Sequence, residues 1–156
     1  MRGKVKSDSV SGEQSMRSAA VKVTLEPVSE TKERTSACPE CPTLSLVFPI
    51  YNEEVVLPTL FARLDDVVAE LQQRVGSVEV LFVNDGSRDR SLALLKEEAE
   101  ARPWARILSF SRNFGHQIAV TAGMEHARGQ AVALLDADLQ DPPELLPQMV
   151  DLWQQG

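Results

Sequence analysis

From Leu44 onward the chain repeats one pattern four times: a short apolar run, a polar turn, then a stretch with apolar residues at helical spacing. Strands separated by helices cannot close as hairpins. They pair in parallel through right-handed crossovers. That alternation alone predicts an α/β chain, a mainly parallel sheet with helices on both faces.

The predicted strands are Leu44–Ile50, Val78–Val83, Ala105–Phe110 and Ala131–Leu135. The last has no polar residue and reads as buried on both faces, hence central. Leu57, Leu60, Phe61, Leu64, Val67, Val68 and Leu71 define the buried stripe of a first helix, with Asn52 as its expected N-cap and Gly76 closing it. A second helix is expected from about Asp89, burying Leu92, Leu95 and Ala99 and stopped by Pro103. A third uses Ile118, Ala119, Ala122 and His126 and ends near Gly129. Asp141-Pro142-Pro143-Glu144 predicts a capping box for a fourth, with Asp141 as cap and Leu145, Leu146, Met149, Val150 and Trp153 inward.

The length of 156 residues suits one domain, and 43% hydrophobic with 25% charged residues is an ordinary globular balance. Residues 1–42 differ. They lack a sustained apolar period, apart from a hint of a strand at Val21–Leu25, and read as a mostly disordered extension and linker before a domain at 43–156. Cys38 and Cys41 fall in that linker, far in sequence from His116, and read as simple thiols. The net charge of −7, without a basic stripe, argues against nucleic acid as a partner. No apolar run approaches the ~20 residues of a membrane helix, and no secretory signal opens the chain, so the expected location is cytoplasmic.

In a sheet of this kind the loops leaving the carboxyl ends of the strands open at one edge, where ligands bind. Those loops carry Tyr51-Asn52-Glu53, Asn84-Asp85-Gly86-Ser87, Arg112-Asn113-Phe114-Gly115-His116 and Asp136-Ala137-Asp138-Leu139-Gln140. If the backbone stays extended beyond Asp136, then Asp136, Asp138 and Gln140 share one side. Three oxygen donors there suit Mg²⁺ or Mn²⁺. Such an ion would hold a diphosphate, while Asp85 is placed to accept from a nucleobase N–H. Arg112 and His116 flank a helix start, a natural anion site. Neither a dinucleotide fingerprint nor a P-loop follows the first strand.

The segments Val47-Phe48-Pro49-Ile50-Tyr51-Asn52-Glu53-Glu54, Val83-Asn84-Asp85-Gly86-Ser87, Ser111-Arg112-Asn113-Phe114-Gly115-His116 and Asp136-Ala137-Asp138-Leu139-Gln140-Asp141-Pro142-Pro143-Glu144 resemble the family-2 glycosyltransferases. Within that family they are similar to the dolichyl-phosphate mannose synthases and the bactoprenol (polyprenyl-phosphate) glycosyltransferases. The resemblance runs from Leu44 to Gly156 and implies a Rossmann-like GT-A fold. It also implies inverting transfer from a UDP- or GDP-sugar to a polyprenyl phosphate. Pro49, Tyr51, Asn52, Glu53 and Asp85 would then bind the nucleotide. Asp136, Asp138 and Gln140 would take Mg²⁺ or Mn²⁺ and the diphosphate, with Asp136 and Asp138 counted as catalytic. Arg112 and His116 would touch phosphate or substrate.

The resemblance further implies acceptor loops and membrane-associating segments beyond Gly156, so the chain reads as the N-terminal part of a catalytic domain truncated at its C-terminus. Two rival readings keep the fold. In one the acceptor is a polysaccharide or another glycan, and in the other the chain is a nucleotide-sugar-binding module without turnover.

Overall fold

The computed structural model describes residues 23–26 and 42–156. Cys38, Cys41 and the expected extension, apart from residues 23–26 and 42, lie outside the described residues. The hint of a strand near Val21 corresponds to β1, Val23–Glu26. The core strands are β2 (Leu44–Ile50), β3 (Val78–Asn84), β4 (Ala105–Phe110) and β5 (Ala131–Leu134). Between and after them come α1 (Leu57–Val75), α2 (Ser91–Glu100), α3 (His116–His126) and α4 (Leu146–Gln155).

The sheet order is β1-β4-β3-β2-β5. β2 to β5 run parallel, and β1 pairs antiparallel with β4 at the edge. From β2 the chain steps outward through β3 to β4, then crosses back to place β5 on the other side of β2. The strand order therefore reverses between β2 and β5, and that switch point is where such sheets open a crevice.

The period of two in the strands divides the core. Leu46, Phe48 and Ile50 of β2, Val80 and Phe82 of β3 and Ile107 of β4 pack with the stripe of α1 and with Leu95, Leu146 and Val150. Val47, Leu81, Val83, Leu108 and Phe110 face the other way, onto Ala119 of α3. Helices thus cover both faces, as the alternation predicts. α1 buries all seven stripe residues and ends on Gly76, whose φ of 81° places it in the left-handed region that glycine tolerates. In α2, Leu95 and Ala99 are buried and Leu92 is partly so.

Several sequence expectations fail for physical reasons. Asn52 does not cap α1, which begins five residues later; Asn52 itself is left-handed, at φ 57°. β5 is an edge strand among the described residues, with Val132 and Leu134 41% and 45% exposed, because only β2 pairs with it. Ile118 points outward, leaving Ala119 and Gly123 as the buried stripe of α3.

The capping box of the fourth helix does not form either. A 3₁₀ turn, Pro143–Leu145, precedes α4, and no side chain caps either element. Glu144 is instead held in a fork by Arg63, whose Nε donates to Oε1 at 2.6 Å. The late start rotates the helix, so that Leu146 and Val150 are buried while Leu145, Met149 and Trp153 are exposed.

Ser45 and Glu79 are buried polar residues inside strands, facing the α3 side. Glu79 accepts from Ser45 Oγ, from the Arg128 N–H and from Arg106 Nη1, each at 2.6 Å. Burial by itself would raise the Glu79 pKa, but these hydrogen bonds, with the charge of Arg106, hold it below the usual glutamate range.

Gly123 lets α3 lie close on the sheet: a Cβ there would collide with Cγ1 of Val47 and come within 3.1 Å of Cγ2 of Val83. Gly123→Ala should therefore destabilise the fold by about 1–3 kcal/mol through overpacking, despite alanine's better helix propensity. Chemical denaturation of the two proteins checks the sign.

Candidate functional site

A cleft of about 240 Å³ opens at the carboxyl ends of the strands, at the switch point between β2 and β5. Seven of the residues singled out from sequence line it: Pro49, Tyr51, Glu53, Asp85, His116, Asp136 and Asp138. Asn52, Gln140 and Arg112 do not. The lining also includes Ile50, Asn113, Ala119 and Ala137. Asn113 belongs to one of the converging polar loops, which was its signal. Ala119 forms wall by being small, and nothing local in the sequence marks it.

Asp85 directly follows β3 and is only 2% exposed. Its Oδ1 accepts from the Phe114 N–H at 2.7 Å; its Oδ2 accepts from the Gly115 N–H at 2.9 Å and from Asn113 Nδ2 at 3.0 Å. The carboxylate therefore pins the loop between β4 and α3, and with it the first turn of α3 that carries His116. A carboxylate offers about four acceptor positions, so one remains for a ligand donor. Gly86 follows at φ 62°, and a Cβ there would collide with the backbone of Arg112 and Asn113. The close approach of the two loops requires glycine at that position.

The β2–α1 and β3–α2 loops are tied by reciprocal bonds. The N–H groups of Asn52, Glu53 and Glu54 donate to Ser87 Oγ at 3.0 Å, Ser91 Oγ at 2.8 Å and Asp89 Oδ2 at 3.2 Å. In return Asn52 Oδ1 accepts from the Arg88 N–H at 2.9 Å and Glu54 Oε2 from the Arg90 N–H at 2.8 Å. Asn52 is thus a loop latch, and the Glu53 carboxylate is left facing the cleft. Serines and acidic residues in a loop carry too little local signal to reveal such pairing.

The acidic side of the cleft does not follow the extended path read from the sequence. The chain turns at Ala137–Asp138, Leu139 sits at φ 63°, and Asp138 Oδ1 accepts from the Gln140 N–H at 3.0 Å. This turn takes Gln140 off the cleft while Asp136 and Asp138 stay on it. Glu53 joins them: its pKa is raised by partial burial first, then by the negative charges of Asp138 and Asp89. His116 Nε2 lies 3.9 Å from Asp136 Oδ1, an ion pair only when the imidazole is protonated. Arg112 stacks its guanidinium over the Phe114 ring, 4.8 Å from the centroid. His126 directs Nδ1 at the Ala122 carbonyl, 2.8 Å away, within its own helix.

Among the described residues no three His, Cys, Asp or Glu side chains are grouped to hold a metal. Two cleft carboxylates, Asp136 and Asp138, the second close enough to Glu53 to raise its pKa, nevertheless suit a Mg²⁺-like ion. Such ions take one or two protein carboxylates and complete their shell with water and substrate phosphates.

A polar cleft at the switch point of a doubly covered parallel sheet is where α/β domains of the GT-A-like class open their ligand crevice. The family model for glycosyl transferase family 2 matches residues 45–156, and the chain belongs to that family.

Among its relatives, glycosyltransferase YkcC of Bacillus subtilis is 50% identical over 112 residues, covering 72% of this chain and 34% of that protein. The bactoprenol glucosyl transferase of Shigella phage SfV is 41% identical over 114 residues, covering 72% and 36%. The undecaprenyl-phosphate 4-deoxy-4-formamido-L-arabinose transferase of Pseudomonas aeruginosa is 44% identical, covering 72% and 33%. The chain thus spans about a third of the length of the curated relatives it matches. Among solved structures, the mannosyltransferase PcManGT of Pyrobaculum calidifontis, in complex with GDP-Man and Mn²⁺, matches at a TM-score of 0.56 and 25% identity, over 70% of this chain and 31% of that one.

Two outcomes follow from the geometry. Asp85→Ala should speed amide exchange at Phe114 and Gly115 by at least about tenfold, because a hydrogen bond to a charged acceptor is worth about 1.5–3 kcal/mol. Exchange measured residue by residue by NMR tests this. Because the Glu53 pKa is raised on folding, its contribution to stability is fully present below the unfolded value and is lost as pH rises through the folded one. Asp138→Asn should lower the Glu53 pKa and narrow that window from above, leaving the part due to burial and to Asp89; carboxyl-detected NMR titration measures both.

Proposed function

We propose that this family-2 glycosyltransferase domain moves a sugar, with inversion, from a UDP- or GDP-sugar to a polyprenyl phosphate at a membrane surface. The observation that carries the reading is the convergence of Glu53, Asp85, Asp136 and Asp138, from three different loops, on one cleft at the switch point. The phage and Pseudomonas relatives, a bactoprenol glucosyl transferase and an undecaprenyl-phosphate transferase, support the acceptor class. The GDP-Man and Mn²⁺ bound by the Pyrobaculum neighbour support the donor and the ion.

In this reading Pro49, Tyr51 and Glu53 receive the nucleoside. The free acceptor position of Asp85 takes an N–H of the base, while Asn52 acts by holding the loop. Asp136 and Asp138 would hold Mg²⁺ or Mn²⁺, which would supply Lewis-acid neutralisation of the charge on a departing nucleoside diphosphate. An acceptor phosphate oxygen forms the new bond to the anomeric carbon as the bond to the diphosphate oxygen breaks.

A phosphate monoester is already largely anionic near neutral pH, so no strong general base is required. Orientation and charge neutralisation are what this cleft would supply. His116, beside Asp136, is placed to meet a phosphate when protonated. Among the described residues no helix is long and apolar enough to cross a membrane.

The test is transfer of labelled sugar from UDP- and GDP-sugars to a short polyprenyl phosphate by the full-length protein, with Mg²⁺ or Mn²⁺. Asp138→Ala should lower the rate on the order of 10²-fold or more, the scale of losing one preorganised electrostatic group. Undiminished transfer by Asp138→Ala would overturn the assignment of that residue. Transfer to a soluble glycan in preference to the lipid would overturn the acceptor.

A further inference from the structure

Strand β5 delivers Asp136 and Asp138 to the cleft, yet little in its own sequence fixes how far along β2 it lies. It has four residues and, among the described residues, pairs on one side only. One face presents Ala131 and Ala133, and the other presents the half-exposed Val132 and Leu134. Both faces are apolar, so the hydrophobic pattern resists a slip of one residue only weakly. Such a slip would move the strand by about 3.3 Å and exchange its two faces, carrying the carboxylates out of the cleft.

We infer that the buried Ser45–Glu79–Arg106 cluster sets the register of β5 and so positions Asp136 and Asp138 from the opposite end of the sheet. The chain entering β5 is gripped by polar bonds of fixed direction. The Gly129 N–H donates to Ser45 Oγ at 2.8 Å and the Arg128 N–H to Glu79 Oε1 at 2.6 Å. Ser45 Oγ in turn donates to the same Glu79 oxygen at 2.6 Å, and Arg106 Nη1 holds the other oxygen at 2.6 Å. Arg106 also reaches the His126 carbonyl, at 3.4 Å, at the end of α3.

Gly129 sits so close that a Cβ would come within 2.5 Å of the Ser45 nitrogen and 2.7 Å of its hydroxyl. A slip would strip one backbone donor from the buried Glu79 carboxylate and another from the buried Ser45 hydroxyl, a penalty that the apolar faces of β5 cannot impose. Ser45, Glu79 and Arg106 do not line the cleft, so their influence on it passes through β5. Their role is positioning.

The inference rests on the proposal that Asp136 and Asp138 hold a cation, and the experiment separates the two. Wild type, Ser45→Ala and Glu79→Gln are compared by titration with UDP and with GDP, with and without Mn²⁺. Amide exchange is followed at Leu135, whose N–H bonds Val47 O at 3.1 Å at the far end of β5.

In wild type Mn²⁺ should tighten nucleotide binding. In the variants that gain should fall on the order of tenfold, the scale of losing an outer support of a metal site. Affinity without metal should stay near wild type, and Leu135 exchange should quicken more than that of the β3 amides. If Glu79→Gln does not fold, Ser45→Ala, which leaves Glu79 bound to Arg106 and to the Arg128 N–H, decides the matter. A wild type in which Mn²⁺ gives no gain would overturn the cation reading, and Leu135 exchange then judges the register alone. Folded variants with wild-type metal gain and wild-type Leu135 exchange would overturn the inference.

Discussion

Both edges of β2 are hydrogen-bonded, to β3 and to β5, and its faces are covered by α1 and α3, so all seven of its residues are buried. That position makes β2 the reference for every group in the cleft. Its own carboxyl end supplies Pro49 and Tyr51. The pairing Ile50↔Asn84 brings Asp85 alongside, and the pairing Val47↔Leu134 brings Asp136 to the other side. Parallel pairing puts all these ends at one edge, and the reversal of strand order parts the loops there.

The acidic residues of the cleft have unlike roles because their surroundings differ. Asp85 is buried and accepts three hydrogen bonds, so its charge serves first to fasten the β4–α3 loop. Asp136 and Asp138 are exposed, and Asp136 has the His116 imidazole 3.9 Å away. Glu53, partly buried and facing Asp138, holds its proton more tightly than an ordinary glutamate. On the proposed reading, a divalent ion would relieve that crowding and reverse the local sign for an anionic donor.

Where reading from sequence failed, a neighbour had the deciding vote. Ala131–Leu135 is apolar throughout, as a central strand would be, but its place in the sheet depends on which strands pair with it. Asn52 has the chemistry of a helix cap, and its hydrogen bonds go instead to Ser87 and Arg88, more than thirty positions away. The acidic start of the last helix looked like a capping box until Arg63, on α1, took Glu144. Gln140 left the cleft because Asp138 accepts the Gln140 N–H and turns the chain.

The sequence by itself determined the α/β class, the parallel strands and helices on both faces, and the convergence of four polar loops at one edge. These follow from periodicity and chain direction, which are local properties. Its four motifs also resemble the family to which the chain belongs. Only the tertiary structure decided which of those polar residues face the cleft, which ones tie the loops, and how the Ser45–Glu79–Arg106 cluster grips the entry to β5. Hydrogen bonds between residues far apart in sequence make those choices, and such partners are known only once the sheet has set strand order and register.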